Sequence, residues 1–188
     1  MPLEIEAKFR VRDPDAVRGR LRAAGAEASG DVLEHNTYFD TPGRELQQAG
    51  SGLRLRVNEG PDGARRAVLT HKGPRRDGEL KIRPETELEV EAAGAADAFL
   101  QALGFAPTIR FQKRRAIYRL GGAEVVLDEL PELGFFLEIE APDEATVQRV
   151  RAALGLADEP VIRTAYVSLV AEHLTGTGRT ELSFPAAR

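Results

Sequence analysis

Residues 3–11 read LEIEAKFRV, and in this run Leu3, Ile5, Ala7, Phe9 and Val11 alternate without a break with Glu4, Glu6, Lys8 and Arg10. A period of two puts the two sets on opposite faces of one strand, so this strand has one wholly apolar face and one wholly charged face. The same design recurs outward along the chain. In residues 52–59, Leu53, Leu55 and Val57 oppose Arg54, Arg56 and Asn58. In residues 80–91, Leu80, Ile82, Pro84, Thr86, Leu88 and Val90 oppose Lys81, Arg83, Glu85, Glu87, Glu89 and Glu91. GPDG at 60–63 reads as a hairpin loop into a strand over 64–72, and residues 32–41, rich in β-formers, end in a DTPG turn. Three more strands are predicted over 108–120, 124–130 and 135–141, joined by Gly121–Gly122 and by PELG.

Helical spacing appears between these strands. Asp13 caps a helix that starts at Pro14 and stops near Gly25, and Asp143 and Gly155 bracket a helix over 143–154. An alanine-rich helix is predicted over 95–103 and a last one over 162–174. The order is strand, helix, strands, helix, strands, two helices, with no structureless linker at its centre. We therefore expect an α+β fold in which residues 1–174 form one domain and residues 175–188 a flexible tail. About eight strands is the number at which a closed antiparallel barrel is natural, with the amphipathic helices packed outside its apolar face.

Composition narrows the function. The 188 residues carry 26 Lys and Arg against 30 Asp and Glu, a net charge of -4, with no cysteine and three scattered histidines. That excludes thiol catalysis, disulfide frameworks and zinc-cysteine sites, and argues against a nucleic-acid partner. No run approaches the roughly 18 apolar residues of a membrane span, so a soluble, cytoplasmic protein is expected.

If helices cover the apolar face, the charged face lines the barrel interior. Such a lumen is costly to desolvate unless it binds a ligand of matching charge. Arg and Lys on several walls suit a polyanion rich in oxygens, whereas clustered carboxylates repel it unless divalent cations intervene. Phosphate chains with Mg²⁺ or Mn²⁺ satisfy both requirements. A non-catalytic module that senses polyphosphate or nucleotide needs the basic positions but not the acidic ones, so the retained Glu pairs favour an enzyme.

EIEAK (Glu4, Glu6, Lys8), followed in order by TYFDTP, LRLR, LTHKGP, QKRRAIY, VLDEL and LGFFLEIE, resembles the signature of the CYTH superfamily, the triphosphate tunnel metalloenzymes. LTHKGP and KIRPETELEVE are most similar to the class IV adenylyl cyclase branch. The resemblance implies an eight-stranded antiparallel tunnel for a triphosphate such as ATP or inorganic tripolyphosphate. It assigns phosphate contacts to Lys8, Arg54, Arg56, Lys72, Lys81, Arg83, Lys113 and Arg115, with Arg163 closing over them. Metal contacts fall to Glu4, Glu6, Asp128, Glu138 and Glu140, with Glu87 and Glu89 on the same acidic wall. The catalytic group is Glu4, Glu6, Lys8 and Lys72. The implied activity is ATP cyclisation to cyclic AMP and pyrophosphate, with inorganic, thiamine or nucleoside triphosphate hydrolysis as the alternative. Pairing of two barrels is common among the relatives. Pro84 cannot donate a ladder hydrogen bond, so a bulge or edge is expected beside Lys81 and Arg83. Tyr38, Phe39, Tyr118 and Tyr166 read as outer packing, and His35, His71 and His173 as surface or hairpin residues.

Overall fold

The computed structural model describes residues 3–76 and 78–185. The elements are β1 (Leu3–Val11), α1 (Pro14–Ala23), β2 (Glu27–Asp40), α2 (Glu45–Gln48), β3 (Gly52–Glu59), β4 (Arg65–Lys72), β5 (Lys81–Val90), α3 (Ala93–Ala102), β6 (Ala106–Leu120), β7 (Ala123–Leu130), β8 (Gly134–Glu140), α4 (Glu144–Ala153), α5 (Tyr166–Leu174) and β9 (Glu181–Leu182). The sheet runs β2-β3-β4-β5-β1-β8-β7-β6 and closes on itself through antiparallel β2–β6 pairing. The expected eight-stranded antiparallel barrel is the observed one, with the helices outside it.

From Ile5 to Phe9 both faces of β1 are withdrawn from water. Ile5, Ala7, Phe9 and Val11 are buried, and so are Glu6 and Lys8 on the opposite face. The apolar set meets α1 and α4 outside the wall, where Phe9 shares a cluster with Val17, Leu21, Val147, Val150 and Leu154. A second outer cluster joins Leu100 of α3 to Phe39, Leu53 and Leu55. Burying each such Leu or Phe contributes about 1.5–3 kcal/mol, so the barrel is held by its outer surface. A third cluster is different. Ile109, Phe111, Leu130 and Phe136 lie on the lumen faces of their strands and meet Tyr166, Val170 and Leu174 of α5. There α5 closes one end of the barrel.

β5 divides its length between two neighbours: Lys81 to Pro84 pair with β1, and Glu85 to Val90 pair with β4. Pro84 falls at the changeover, opposite Leu3 and without a partner on β4, so the expected bulge or edge takes the form of an edge. Its carbonyl accepts from the Gly73 N–H at 2.9 Å, and a Cβ on Gly73 would stand 2.6 Å from Pro84 Cγ. Only glycine tolerates that approach.

The predicted caps are present. Asp13 accepts from the Asp15 and Ala16 N–H groups at 3.0 Å, and Asp143 from Thr146 N–H at 2.7 Å. Three boundaries differ from the sequence reading. β2 starts at Glu27 because the long β6 supplies a partner from Arg119 back to Ala106, with a register shift at Ala28/Gly30 that absorbs the polar EASGD run. α5 starts at Tyr166 rather than at 162, because Ile162 N–H donates to the Lys8 carbonyl at 2.7 Å and holds the preceding segment extended. The tail was expected to be loose, yet Glu181–Leu182 forms β9, parallel to β6, with Leu182 fully buried. The N-terminal half of β6 lies beyond the end of β7, and β9 fills that free edge.

Among the described residues no helix is long and apolar enough to cross a membrane. Leu182→Ala should lower unfolding stability by about 2 kcal/mol in a denaturant titration; an unchanged midpoint would mean that β9 does not dock.

Candidate active site

The barrel encloses a cavity of about 670 Å³ lined by eight basic residues, Lys8, Arg54, Arg56, Lys72, Lys81, Arg83, Lys113 and Arg115, and by seven glutamates. These eight are the basic positions that alternation and motif indicated, and Lys81 and Arg83 point inward despite Pro84. Arg163 does not join them. It is exposed in the segment before α5, and its backbone carbonyl accepts from the Arg75 guanidinium.

The acidic residues divide into three groups. In the first, carboxylates are committed to cations. Asp128 is fully buried, accepts from Lys113 at 3.0 Å and from Arg115 at 2.7 and 2.8 Å, and takes the Tyr166 hydroxyl at 2.9 Å. Asp128 does not line the cavity, so it holds the basic wall in place instead of facing a ligand. Glu138 pairs with Arg115 at 2.7 Å and Lys8 at 3.2 Å. Burial alone would raise its pKa, but Lys8, Arg115 and Lys113 hold it well below the carboxylate range.

The second group stands at an acidic corner. Glu6 meets Lys81 at 2.7 Å, and Glu4 lies 3.3–3.5 Å from Lys81, Lys72 and Arg83. Glu140 is the cross-strand neighbour of both Glu6 and Glu124. Solvent still reaches Glu140 at the rim. Partial desolvation and the Glu4 and Glu6 charges nevertheless push its carboxyl up to about 7. Burial and the nearby Arg54 push Lys72 down to about 8.

The third group corrects the sequence reading. Glu89 lies outside the tunnel, exposed and bridged to Arg66 at 2.7 Å. Glu87 stands at the rim, 55% exposed, and accepts from the Thr70 hydroxyl at 3.0 Å. The wall position assigned to Glu89 belongs to Glu85, which bonds Lys72 and, at 3.2 Å, Arg83.

Glu34 went unread, and Tyr38 and Tyr166, expected in outer packing, line the cavity instead. Glu34 is fully buried and binds Arg56 at 2.8 Å and Lys113 at 3.2 Å. Burial would raise its pKa, but Arg56, Lys113 and Arg115 drive it far below its ordinary value. Tyr38 lines the cavity and stacks on Phe111 with centroids 6.0 Å apart, and Tyr166 lines it from α5. A second cavity of about 500 Å³, walled by Tyr38, Gln47, Thr108 and Ser168, lies against α5 and shares only the Tyr38 side chain with the first.

The acidic corner suits a divalent cation. Among the described residues no three carboxylates or imidazoles are gathered into a closed ligand set. Magnesium does not need one, since it keeps waters and is held by one or two carboxylates together with substrate phosphates. Glu4 Oε2 and Glu6 Oε1 are buried and accept no hydrogen bond from the described residues, although Lys81 stands 3.3 Å from the first and Lys8 3.6 Å from the second. They offer hard oxygen donors of the type such ions prefer.

A closed antiparallel barrel with an apolar exterior and a lumen of interleaved cations and carboxylates defines a charged-tunnel protein. The chain belongs to the CYTH family, whose domain model matches residues 2–166. It is 32% identical over 182 residues to an adenylate cyclase, CyaB, of Aeromonas hydrophila, an alignment covering 92% of this chain and 91% of that protein. A solved Pyrococcus horikoshii OT3 protein superposes with a TM-score of 0.80 at 27% identity, covering 90% of this chain and 99% of that one. A Hippeastrum protein with a dominant triphosphatase activity shares the fold, with a TM-score of 0.70 at 20% identity over 92% of this chain and 96% of that one.

Glu34→Gln should cost about 3 kcal/mol at pH 7, because it leaves buried cations without their counter-charge. A carboxyl with a depressed folded pKa contributes stability that is fully present above its unfolded value of 4.5 and is lost as the pH falls through the folded value. The gap between wild type and Glu34→Gln in urea midpoints should therefore narrow from pH 7 to pH 3. A constant gap would show that Glu34 acts through shape alone.

Proposed function

We propose that this chain is a divalent-metal-dependent enzyme that acts on a nucleoside triphosphate, converting ATP to cyclic AMP and pyrophosphate. The carrying observation is the double-signed lumen: eight cations able to grip phosphate oxygens share one cavity with a carboxylate corner that would repel the same ligand unless a metal stood between them. The similarity to the Aeromonas adenylate cyclase supports the reading.

Cyclisation requires the ribose 3′ oxygen to attack the α-phosphorus in line as pyrophosphate leaves. The chain's part is to hold the phosphates along the Arg54, Arg56, Lys113 and Arg115 wall and to neutralise the charge that grows on pyrophosphate. These donors are prepositioned by Glu34, Asp128 and Glu138, so little reorganisation is needed when charge develops. Glu4, Glu6 and Glu140 would hold Mg²⁺ or Mn²⁺, which supplies Lewis-acid charge to the phosphate oxygens.

The second reading is hydrolysis of a terminal phosphate, in which water replaces the 3′ oxygen. The phosphate wall serves both reactions, and the fold is shared with the Hippeastrum triphosphatase. Incubation with ATP and with inorganic tripolyphosphate, each with Mg²⁺ and with Mn²⁺, separates them. Cyclic AMP with stoichiometric pyrophosphate is the expected outcome. Orthophosphate released faster from tripolyphosphate, without cyclic AMP, would replace the cyclase reading with the hydrolase. Tight binding without any product would leave a sensor.

Glu6→Gln should remove nearly all turnover while the protein still melts cooperatively, whereas Lys113→Ala should chiefly raise KM. Full activity in folded Glu6→Gln would refute the metal assignment.

A further inference from the structure

Tyr166 is the first residue of α5, and its side chain reaches into the closed end of the tunnel. The residue is 9% exposed, its hydroxyl donates to Asp128 Oδ2 at 2.9 Å, and its ring meets Phe136 edge-on with centroids 5.3 Å apart. Burial and the neighbouring Asp128 and Glu138 charges keep the phenol protonated, so it stays a donor. Two ammonium groups stand over this one ring: Lys8 Nζ at 4.0 Å and Lys113 Nζ at 4.8 Å.

Those lysines come from different walls. β1 and β6 are separated in the sheet by β8 and β7, so the two strands share no direct ladder. Their carboxylate partners also differ, Glu138 for Lys8 and Asp128 with Glu34 for Lys113. Arg115 bridges Glu138 and Asp128, and the aromatic ring touches both ammoniums directly. Lys8 also donates to the Thr164 carbonyl at 3.1 Å and Lys113 to Asp128 at 3.0 Å, whereas a ring face attracts a cation without occupying any of its N–H donors in directional bonds, so the ring holds both ammoniums without adding to the bonds a ligand must replace.

We propose that Tyr166 is a positioning residue for the phosphate chain, its ring holding the Lys8 and Lys113 ammoniums as a spaced pair that receives two oxygens of a triphosphate. This rests on the triphosphate reading of the tunnel. It makes α5 part of the binding machinery and not merely a plug.

The test replaces Tyr166 with Phe and with a graded series of 4-fluoro-, 3,4,5-trifluoro- and pentafluorophenylalanine. These analogues keep the ring's shape while progressively weakening, then reversing, its attraction for cations. Affinity for inorganic tripolyphosphate with Mg²⁺ is read by calorimetry, and melting temperature is recorded alongside. Affinity should fall stepwise along the series, reaching about tenfold between Phe and the pentafluoro ring. Equal affinity for Phe and the fluorinated rings would overturn the proposal, since a structural plug responds to ring shape and not to ring charge. If the pentafluoro variant does not fold, the lower members of the series decide by the same trend. A wild-type protein that binds neither tripolyphosphate nor ATP overturns the triphosphate reading itself, and this proposal with it. Wild-type binding with a flat fluorination series overturns only the role of Tyr166.

Discussion

The structure depends on how charges inside a closed wall neutralise one another. An ion moved from water into a protein interior costs several kcal/mol unless it is paired and hydrogen-bonded. The barrel meets this condition by placing cations and carboxylates on facing strands. Arg115 alone touches Asp128, Glu138 and Glu34, and Lys113 spans Glu34 and Asp128. The wall can afford this interior because its cohesion lies elsewhere, in the apolar contacts that α1, α3 and α4 make with its outside.

Pairing is uneven along the lumen, and that gives the tunnel a direction. Toward α5 the inward faces turn apolar and the tunnel closes on Phe111, Leu130, Phe136 and Tyr166. Between this plug and the opposite corner lies the paired cluster around Asp128. At the corner itself Glu4, Glu6 and Glu140 crowd together, with two buried oxygens that accept no hydrogen bond from the described residues. The carboxylates there are clustered beside Lys72, Lys81 and Arg83, with which Glu4 and Glu6 pair.

Much of this was legible because strand alternation has a strict period of two. The fold and all eight basic lining positions follow from it once the charged face is turned inward. Alternation could not say where along a strand the lumen ends. Glu85, Glu87 and Glu89 share one face of β5, yet the rim falls between them: Glu85 is inside and Glu89 is bridged to Arg66 in solvent. Glu34 was missed for a related reason. It lies in VLEHNTYFD, where inward-facing Asn36 and Tyr38 carry no charge to mark the face. Tyr166 was hidden because a helix residue that enters a barrel leaves no signature in strand periodicity. β9 was hidden because Leu182 gains its burial against β6, some 70 positions earlier.

The near balance of charge in the lumen bears on what the tunnel is for. A protein that only captured polyphosphate would gain from an unopposed basic wall, because every carboxylate near the ligand weakens its hold. Here seven glutamates face eight cations. A phosphate chain entering this space must either displace carboxylates from their Lys and Arg partners or bring positive charge with it. Displacing Glu34 or Glu138 would strand buried anions, which is costly, whereas a divalent ion entering with the phosphates satisfies the ligand and the acidic corner together. On the proposed reading, substrate and metal enter as a single unit, favoured by the same residues that neutralise one another in the tunnel. Such coupling is what a catalyst requires, since its charge stabilisation is best spent on phosphate oxygens whose negative charge grows during reaction.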